Sequence, residues 1–391
     1  MLSLPIYMDH HATTPVDPRV VEAMVPCFTE TFGNPSSRQH TFGWAARDAV
    51  SAARRQVADL IGADPREIHF TSGATESDNL AVRGVATAEP RRPLHVVTMT
   101  TEHHAVLDPC RRLEREGVEV SYVEPRRDGI CDVADIERAL RPETRLVSVM
   151  TANNEIGVLQ PIAEIAALTR PRGVLLHTDA AQAVGKVPID VGALGVDLLS
   201  LTAHKMCGPK GIGALYVRRC RPRLAIAPLF DGGGQEQGLR SGTLNVPGIV
   251  GLGAAAAICR DDLAREARRV GALRNRLLDG LRARLDGVTV NGSQAARLPH
   301  NLNVSFDGLE GESLLVGLDD VAVSSGAACT SVNPEPSHVL RAIGVPDRLA
   351  RASLRFGLGR TTTEAEVDYV IEKVSSLVTR LRELSPAAGA R

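Results

Sequence analysis

The stretch Val196-Asp-Leu-Leu-Ser-Leu-Thr-Ala-His-Lys205 begins with a short apolar run and ends on a lysine. Similar apolar runs, rich in β-branched residues, precede it at residues 68–71, 94–98, 146–150 and 174–177. Amphipathic segments with helical spacing alternate with these runs from about residue 17 to residue 220. Short apolar runs that alternate with helices are typical of an α/β domain with a mostly parallel sheet. We predict that fold class for this part of the chain.

The pattern changes in the last third of the chain. After the glycine-rich residues 232–234 and an arginine-studded helix near residues 260–285, the predicted strands are fewer and farther apart. They lie at residues 302–306, 321–324 and 353–356, and a helix at about 363–384 follows them. A chain of 391 residues also exceeds what one hydrophobic core usually serves. We therefore predict a large α/β domain over residues 16–261 and a smaller α+β domain made of residues 1–15 and 262–391.

The composition is that of a soluble enzyme. Hydrophobic residues make up 43% of the chain, charged residues 23%, and the net charge is −1, which excludes a disordered chain and argues against a nucleic-acid footprint. The basic cluster at residues 218–223 is interpreted as a solvated loop. No apolar stretch approaches the roughly 18 residues of a membrane span, and residues 1–14 lack a signal-peptide layout. We expect a cytoplasmic protein that binds neither membrane nor nucleic acid.

The seven cysteines are scattered and form no Cys-x-x-Cys pair. Their number is odd, so a disulfide framework is not expected, and the missing pair argues against a zinc site. We predict free thiols and no resident metal.

Lysine is rare in this chain. The 45 basic side chains include only four lysines, Lys186, Lys205, Lys210 and Lys373, so arginine supplies positive charge almost everywhere. A guanidinium stays protonated and cannot act as an amine nucleophile. Taken alone, Lys205 is most simply a surface lysine in a loop. Its apolar, glycine-rich setting instead indicates amine chemistry.

Polar side chains follow three of the predicted strands. Ser72-Gly-Ala-Thr-Glu-Ser77 opens a helix after the first strand and offers backbone N–H groups and hydroxyls to an anion. Thr178-Asp-Ala-Ala-Gln182 puts the carboxylate of Asp179 at the mouth of the sheet, and Thr202-Ala-His-Lys205 follows the next strand. Ligands of open α/β sheets bind beyond the carboxyl ends of the strands. These groups are therefore expected to meet at one edge.

Each of these groups has a plainer interpretation when it is taken singly. A hydroxyl or an aspartate at a helix start is more often only a cap. Together, an anion cradle, a strand-end carboxylate and a lysine are the parts that hold pyridoxal 5′-phosphate. The lysine binds the cofactor covalently, the carboxylate keeps its pyridine nitrogen protonated, and the helix start takes its phosphate.

With these motifs in place, the sequence resembles the cysteine desulfurase family of fold-type-I pyridoxal-phosphate enzymes. The resemblance covers nearly the whole chain, from Asp9-His-His-Ala-Thr-Thr-Pro15 and Gly33-Asn-Pro-Ser-Ser37 to Arg380-Leu-Arg-Glu-Leu-Ser-Pro386. It implies the PLP-dependent transferase fold, pyridoxal 5′-phosphate as cofactor and L-cysteine as substrate. The departures are His10-His11, where many relatives carry other polar or aromatic residues, and Cys207.

The resemblance also implies roles for individual residues. Lys205 would be the Schiff-base lysine, Asp179 the partner of the pyridine nitrogen, and His103 the residue stacked on the ring. Arg355 would clamp the substrate carboxylate with its bidentate fork, helped by Asn154. The remaining implied contacts are Ala74, Thr75, Thr202 and His204 at the phosphate, Gln182 and Asn154 at the phenolic oxygen, and Thr243, which the neighbouring subunit of a homodimer would lend to the phosphate.

A second nucleophile separates this family from other enzymes on the same scaffold. Ser324-Ser-Gly-Ala-Ala-Cys-Thr330 leads from a predicted strand into a loop, and the next helix is expected only near residues 336–338. A cysteine among small residues is more often buried packing. Cys329, however, is followed by polar residues and two prolines, which indicates an exposed loop. The family's persulfide-forming cysteine occupies this place, and the resemblance implies that Cys329 could also be a ligand shared with a nascent iron–sulfur cluster.

The resemblance implies a mechanism. Lys205 removes the α-proton of bound L-cysteine, and the thiolate of Cys329 attacks the substrate sulfur to leave a persulfide and L-alanine. A thiol with an ordinary pKa near 8.5 is only a few per cent thiolate at pH 7, so a base is required. We expect His103 to be that base. An unchanged pH dependence of persulfide formation in His103→Gln would exclude it.

Two alternatives stay open from the sequence. Another fold-type-I enzyme, such as an aminotransferase or a selenocysteine lyase, would need Lys205 but not Cys329. A sulfur-carrier or assembly protein with a vestigial pyridoxal site would be non-catalytic and colourless. Retained colour with lost sulfide release in Cys329→Ala would exclude the simple aminotransferase.

The expected partner is a protein that accepts sulfur, either an iron–sulfur scaffold, a tRNA-thiolation protein or a dedicated biosynthetic enzyme. The sequence stops soon after Ser385-Pro386, without the longer tail that some relatives use to engage a scaffold. We therefore expect the desulfurase chemistry more firmly than docking to a scaffold.

Overall fold

The computed structural model describes residues 2–88, 93–309, 312–325 and 336–384. Its strands are β1 (Ile6–Tyr7), β2 (Ile68–Thr71), β3 (His95–Met99), β4 (Glu119–Val123), β5 (Thr144–Ser148), β6 (Leu175–Asp179), β7 (Leu198–Thr202), β8 (Gly213–Val217), β9 (Val288–Val290), β10 (Asn301–Phe306), β11 (Val321–Ala322), β12 (Ser324–Ser325) and β13 (Ser353–Gly357). Its α-helices are α1 (Pro18–Met24), α2 (Pro26–Thr29), α3 (Thr41–Ile61), α4 (Ala74–Ala88), α5 (His104–Arg115), α6 (Val133–Ala139), α7 (Ile162–Thr169), α8 (Val191–Leu194), α9 (Val246–Arg284), α10 (Glu312–Val316), α11 (His338–Ala342), α12 (Asp347–Arg351) and α13 (Glu364–Leu384).

The large sheet has the strand order β2-β8-β7-β6-β5-β3-β4. The pairs from β7 to β4 are all parallel, which confirms the prediction of a mostly parallel sheet. Strand β8 is antiparallel to both of its neighbours. Consequently β2 runs in the same direction as β7, and the carboxyl ends of β2, β3, β5, β6 and β7 meet at one edge.

Alternating side chains of this sheet enter two different hydrophobic clusters. Leu199 and Leu201 of β7 pack in a cluster with α3 and the first half of α9, whereas Leu198 packs in a cluster with α4 and α5. Successive residues of a strand point to opposite faces, so helices cover both faces of the sheet. The first helix, α1, begins at Pro18, because the Asp17 side chain caps the backbone N–H of Arg19 and proline follows the cap.

The smaller sheet has the order β12-β13-β10-β9 and is antiparallel throughout. The prediction of a single strand at residues 321–324 is wrong, because two short strands lie there. Its first part, β11, pairs in parallel with β1, and its second part, β12, pairs with β13. Because β1 pairs with β11, Ile6 and Met8 are buried in the same hydrophobic cluster as Phe306 and Phe356.

Helix α9 links the two groups of buried side chains. It was expected only near residues 260–285, but it begins at Val246, where Asn245 caps the N–H of Gly248 and a proline follows. Side chains up to Cys259 pack with the large sheet, and those from Val270 onward pack with the small sheet. This distribution supports our proposal of two domains over residues 16–261 and residues 1–15 with 262–391, and the helix runs through that boundary without a break.

None of the helices within the described ranges combines the length and apolar character of a membrane span. The six cysteines in those ranges are free thiols.

Candidate active site

A cavity of about 520 Å³ lies at the edge where the carboxyl ends of the parallel strands meet. Ten of the residues predicted from the sequence line it: Ala74, Thr75, His103, Asn154, Asp179, Gln182, Thr202, His204, Lys205 and Arg355. The shared strand direction explains why residues from such distant parts of the chain converge there. A second cavity, of about 620 Å³, lies elsewhere around the Arg54–Glu236 ion pair and contains none of these groups.

Of the two remaining predicted residues, one lies outside the cavity of this chain and the other lies outside the described residues. Thr243 is exposed and absent from the lining. The loop that carries it is held near the cavity by an ion pair between Arg240 Nε and Glu76 Oε1 at 3.1 Å. Cys329 lies outside the described residues, so its position relative to the cavity stays a prediction.

One end of the cavity is suited to an anion. Gly73 has φ +152°, a conformation that side-chain-bearing residues rarely adopt, and it turns the chain from β2 into α4. The first N–H groups of a helix have no partner within the helix, so the start of α4 offers donors around Ala74 and Thr75. The side chains of Thr202 and His204 line the same cavity. Burial lowers the pKa of His204 to about 4, so its ring is a neutral hydrogen-bonding group.

A buried carboxylate lies deeper in the cavity. Asp179 ends β6, is 7% exposed, and accepts a hydrogen bond from Ala181 N at 2.8 Å. Burial raises the pKa of this carboxyl, and the nearby His103 and Lys205 oppose that rise. A cationic group placed beside Asp179 would restore its ionised form.

His103 caps α5. Its Nδ1 accepts a hydrogen bond from Ala105 N at 3.1 Å, and burial lowers the pKa of the ring. A neutral ring that accepts at Nδ1 carries its proton on Nε2. His103 can therefore donate a proton from Nε2, and it could take one from Cys329 only after Nδ1 releases Ala105.

Lys205 reaches across to the N-terminal segment. It follows β7 in a short 3₁₀ turn, and its Nζ donates to the carbonyl oxygens of His11 and of Ala12, the latter at 2.8 Å. The amine is thus held at the cavity wall by backbone acceptors.

Arg355 is the largest fully buried side chain of the described protein. Its guanidinium donates to Asp9 Oδ1 at 2.9 Å, to Ser324 Oγ at 3.2 Å and to the Asn154 carbonyl at 2.9 Å. Its Nε has no hydrogen-bond partner among the described residues, although it is buried. A buried unpaired donor is costly, so this Nε–H is available to a ligand carboxylate in the cavity.

Sequence reasoning missed Asp9 and assigned no role to His11. Both come from the N-terminal segment that β1 brings against the small sheet. His11 is 1% exposed and its ring contacts Gln182 Oε1 at 3.0 Å. The only signal in the sequence was that His10-His11 departs from the family pattern.

The residues present fit pyridoxal 5′-phosphate. The start of α4 offers donors to a phosphate, a cationic ring nitrogen would stabilise the buried carboxylate of Asp179, and Lys205 supplies an amine. Asn154 Oδ1, which also lines the cavity, is buried without a hydrogen-bond partner among the described residues. These unmet groups lie around one cavity and match a charged, polar, ring-shaped ligand.

Glu155, next to Asn154 in the chain, gives the stability of the protein a pH dependence. It is fully buried, it accepts a hydrogen bond from Ser337 Oγ, and burial raises its pKa from 4.5 to about 7. The folded protein therefore binds this proton more tightly than the unfolded chain, so the free energy of unfolding falls as the pH rises from about 4.5 to 7.

Glu155→Gln is expected to remove this contribution, because the amide does not titrate. Between pH 5 and pH 8 the wild type should lose about 2 to 3 kcal/mol relative to the variant. Urea unfolding of both proteins at the two pH values measures the difference. Parallel behaviour of the two proteins would show that folding does not raise the pKa of Glu155.

Comparison with known proteins agrees with this geometry. The aminotransferase class-V family model matches residues 6–370. The chain is 59% identical over 385 residues to the cysteine desulfurase IscS of Anaeromyxobacter dehalogenans (strain 2CP-C), covering 98% of this chain and 95% of that protein. It is 56% identical over 387 residues to the cysteine desulfurase IscS of Escherichia coli O139:H28, with the same coverage.

Solved structures are also similar. A NifS-like protein superposes with a TM-score of 0.89 at 38% identity, covering 96% of this chain and 100% of that one. SspA in complex with cysteine superposes with a TM-score of 0.81 at 38% identity, covering 90% and 98%. The fold and the cavity are those of a fold-type-I enzyme. Within that class, the chain belongs to the cysteine desulfurases of the aminotransferase class-V family.

Proposed function

We propose that this desulfurase binds pyridoxal 5′-phosphate in the cavity and converts L-cysteine to L-alanine, with Cys329 receiving the sulfur. The observation that carries the proposal is the convergence of Asp179, Lys205 and Arg355 on one cavity. A carboxylate, an amine and a buried guanidinium with an unpaired Nε–H are the groups that an amino-acid substrate and this cofactor require. The name of one similar structure, SspA in complex with cysteine, also supports the substrate.

The first N–H groups of α4, with Thr75, Thr202 and His204, would hold the phosphate. Asp179 would face the pyridine nitrogen, because a cation there offsets the cost of burying its charge. Asn154 and Gln182 would meet the phenolic oxygen, and His103 would lie against the ring. When bound, the cofactor supplies an electron sink that stabilises negative charge at the substrate α-carbon.

Lys205 would move the proton. Its Nζ would bind the cofactor at rest and, once substrate has replaced it, take the proton from the substrate α-carbon. The carbonyl oxygens of His11 and Ala12 accept hydrogen bonds from this amine and hold it at the cavity wall. An amine already held at the cavity wall loses little entropy in the transition state.

Arg355 would bind the substrate carboxylate. Its unpaired Nε–H is available to a carboxylate oxygen, and a planar guanidinium can pair with a carboxylate through two N–H groups. Asp9 and Ser324 accept from Nη2, which lies on the same edge as Nε, and the Asn154 carbonyl accepts from Nη1, so the plane of the guanidinium is fixed. This arrangement would orient the substrate sulfur away from the clamp.

Cys329 would then break the carbon–sulfur bond. Its thiolate attacks the substrate sulfur, a sulfur–sulfur bond forms, and the electrons of the broken bond stay on the substrate carbon. That carbon takes up the proton that the Cys329 thiol has lost, for which His103, donating from Nε2, is our candidate carrier, and Lys205 returns the proton to the α-carbon. The products are L-alanine and a persulfide on Cys329, which we propose is passed to a sulfur-acceptor protein such as an iron–sulfur scaffold.

We also propose that the enzyme acts as a homodimer. Thr243 is exposed and lies outside the cavity of its own chain, so a phosphate that it contacts would belong to a neighbour. A surface near the N-terminus exposes aromatic side chains, with Phe28 63% and Phe32 60% accessible. Large exposed apolar side chains that cluster in this way commonly mark an interface.

Mass spectrometry of Cys329 tests the proposed function. After brief incubation of the cofactor-loaded enzyme with L-cysteine, the peptide that contains Cys329 should gain the mass of one sulfur atom while L-alanine forms. The matched control is Cys207→Ser, which should keep this gain, since the Cys207 side chain is buried and does not line the cavity. Formation of L-alanine without sulfur on Cys329 would overturn the role given to that residue.

A further inference from the structure

We propose that His11 is a positioning residue that fixes Gln182 as a hydrogen-bond donor toward the phenolic oxygen of the cofactor. This inference rests on the proposed function, because it concerns the same cavity. It gives a role to a residue of the N-terminal segment, at a position where the sequence departs from its family. It also assigns the donor and the acceptor of each hydrogen bond in a chain of bonds that ends at Gln182.

The chain of hydrogen bonds starts at Arg297. Its Nη1 donates to Asn301 Oδ1 at 2.9 Å, and a guanidinium can only donate. The other end of the same amide, Asn301 Nδ2, donates to the Glu155 carbonyl at 3.1 Å. Both contacts require the same orientation of the Asn301 amide, so its nitrogen faces His11.

The His11 ring accepts a hydrogen bond at one nitrogen and donates one at the other. Asn301 Nδ2 lies 3.0 Å from His11 Nε2, and as a donor it makes that nitrogen an acceptor. Burial, followed by the charge of Arg355, lowers the pKa of the ring well below 6.5, so the ring is neutral. A neutral imidazole that accepts at Nε2 carries its proton on Nδ1. Stacking on His300, with 4.4 Å between ring centroids, holds the ring in this orientation.

Gln182 receives the hydrogen bond and is held at both ends. Its Oε1 lies 3.0 Å from His11 Nδ1 and accepts the proton there, while its Nε2 donates to the His11 backbone carbonyl at 3.1 Å. The amide nitrogen has two hydrogens, so one N–H remains for the cavity that Gln182 lines. The ligand group opposite must therefore be an acceptor, as a phenolate oxygen is.

A donor at that oxygen changes a measurable property. It withdraws negative charge from the phenolate, so the neighbouring nitrogen, which joins the cofactor to Lys205, holds its proton less tightly. The visible absorption of the bound cofactor changes when this nitrogen loses its proton. Loss of the donor should therefore raise the midpoint pH of the absorption change.

Two amide substitutions at His11 separate the proposal from a purely structural role. In His11→Asn the side-chain nitrogen reaches about the position of Nδ1 and can still donate to Gln182. In His11→Gln the amide reaches about the position of Nε2, which keeps the contact to Asn301 but not the one to Gln182. We expect the midpoint to stay near the wild-type value in the first variant and to rise by about one pH unit in the second.

The experiment is an absorption titration of the cofactor-loaded wild type and variants. His10→Phe serves as a control, because the His10 ring is equally buried but has no hydrogen-bond partner among the described residues. Its midpoint should not move. If His11→Gln does not fold, His11→Ala carries the same expected rise, since it also removes the donor.

Equal midpoints in wild type and in His11→Gln or His11→Ala would overturn this inference and leave the proposed function intact. A rise of the same size in His11→Asn and His11→Gln would also overturn it, because the effect would then not follow the donor to Gln182. A wild-type protein with no visible absorption after incubation with pyridoxal 5′-phosphate would instead contradict the proposed function itself.

Discussion

Lys205→Ala is expected to remain folded and to release sulfur from L-cysteine about 10⁴-fold more slowly than the wild type, if it does so at all. Lys205 is the only lysine whose amine is held at the cavity wall next to Asp179 and His103 by backbone carbonyl acceptors, in the part of the chain that the structure describes. Its removal takes away both the covalent attachment of the cofactor and the group that moves the α-proton. The visible absorption of the lysine-bound cofactor should disappear as well.

The variant Lys205→Arg separates loss of the amine from loss of its hydrogen bonds. A guanidinium can keep the hydrogen bonds to the carbonyls of His11 and Ala12, but it stays protonated and cannot attack a carbonyl carbon. We expect it to be as inactive as the alanine variant. Lys373→Ala is the control, because Lys373 lies on α13 far from the cavity and pairs with Asp319 and Asp320. A Lys205→Arg enzyme with more than about a tenth of wild-type activity would exclude amine chemistry at this position.

Arg355→Lys is expected to lower kcat/KM for L-cysteine about 100-fold, mainly through KM. Lysine keeps one positive charge, but it cannot present two parallel N–H groups to a carboxylate. Loss of a charged hydrogen bond of up to about 3 kcal/mol corresponds to that factor. Steady-state kinetics with L-cysteine measures the change, and the cofactor absorption should remain, because Arg355 is not assigned to the cofactor.

Arg355 also holds Asp9 and Ser324, so a structural effect must be separated from loss of the clamp. Arg218→Lys is a matched control, since Arg218 forms an ion pair with the largely buried Asp197 at 2.6 Å outside the cavity. We expect this control to lower the urea midpoint without changing KM. If Arg355→Lys lowers the urea midpoint similarly but leaves KM unchanged, the substrate carboxylate is bound elsewhere.

The site residues that could be predicted from the sequence are those that directly follow the carboxyl end of a predicted strand. Asp179 and Lys205 each come directly after a short apolar run. Ligands of open α/β sheets bind beyond the carboxyl ends of the strands, so the two residues were expected at one edge of the sheet. Strand β8 was not predicted, although it decides the direction of β2. The link between β7 and β8 is a 3₁₀ turn and a few residues, too short for a crossover helix, so β8 must return antiparallel.

Asp9 and His11 could not be placed in the same way. Their partners Arg355 and Gln182 are 346 and 171 residues away along the chain, and no local pattern carries such a pairing. The two-residue strand β1 is too short to give an alternating signal of its own. Its position became clear only from its parallel pairing with β11.

The pairing of β1 with β11 bears on when this enzyme can first work. Ile6 and Asp9 are synthesised before the large sheet, yet their partners Val321 and Arg355 are synthesised after it. The large sheet can form while the chain is still growing, because β2 to β8 lie between residues 68 and 217. The amine of Lys205 and the carbonyls of His11 and Ala12 can meet early as well. The carboxylate clamp cannot, so a truncated translation product would carry a nearly complete cofactor site with no means of holding the amino acid.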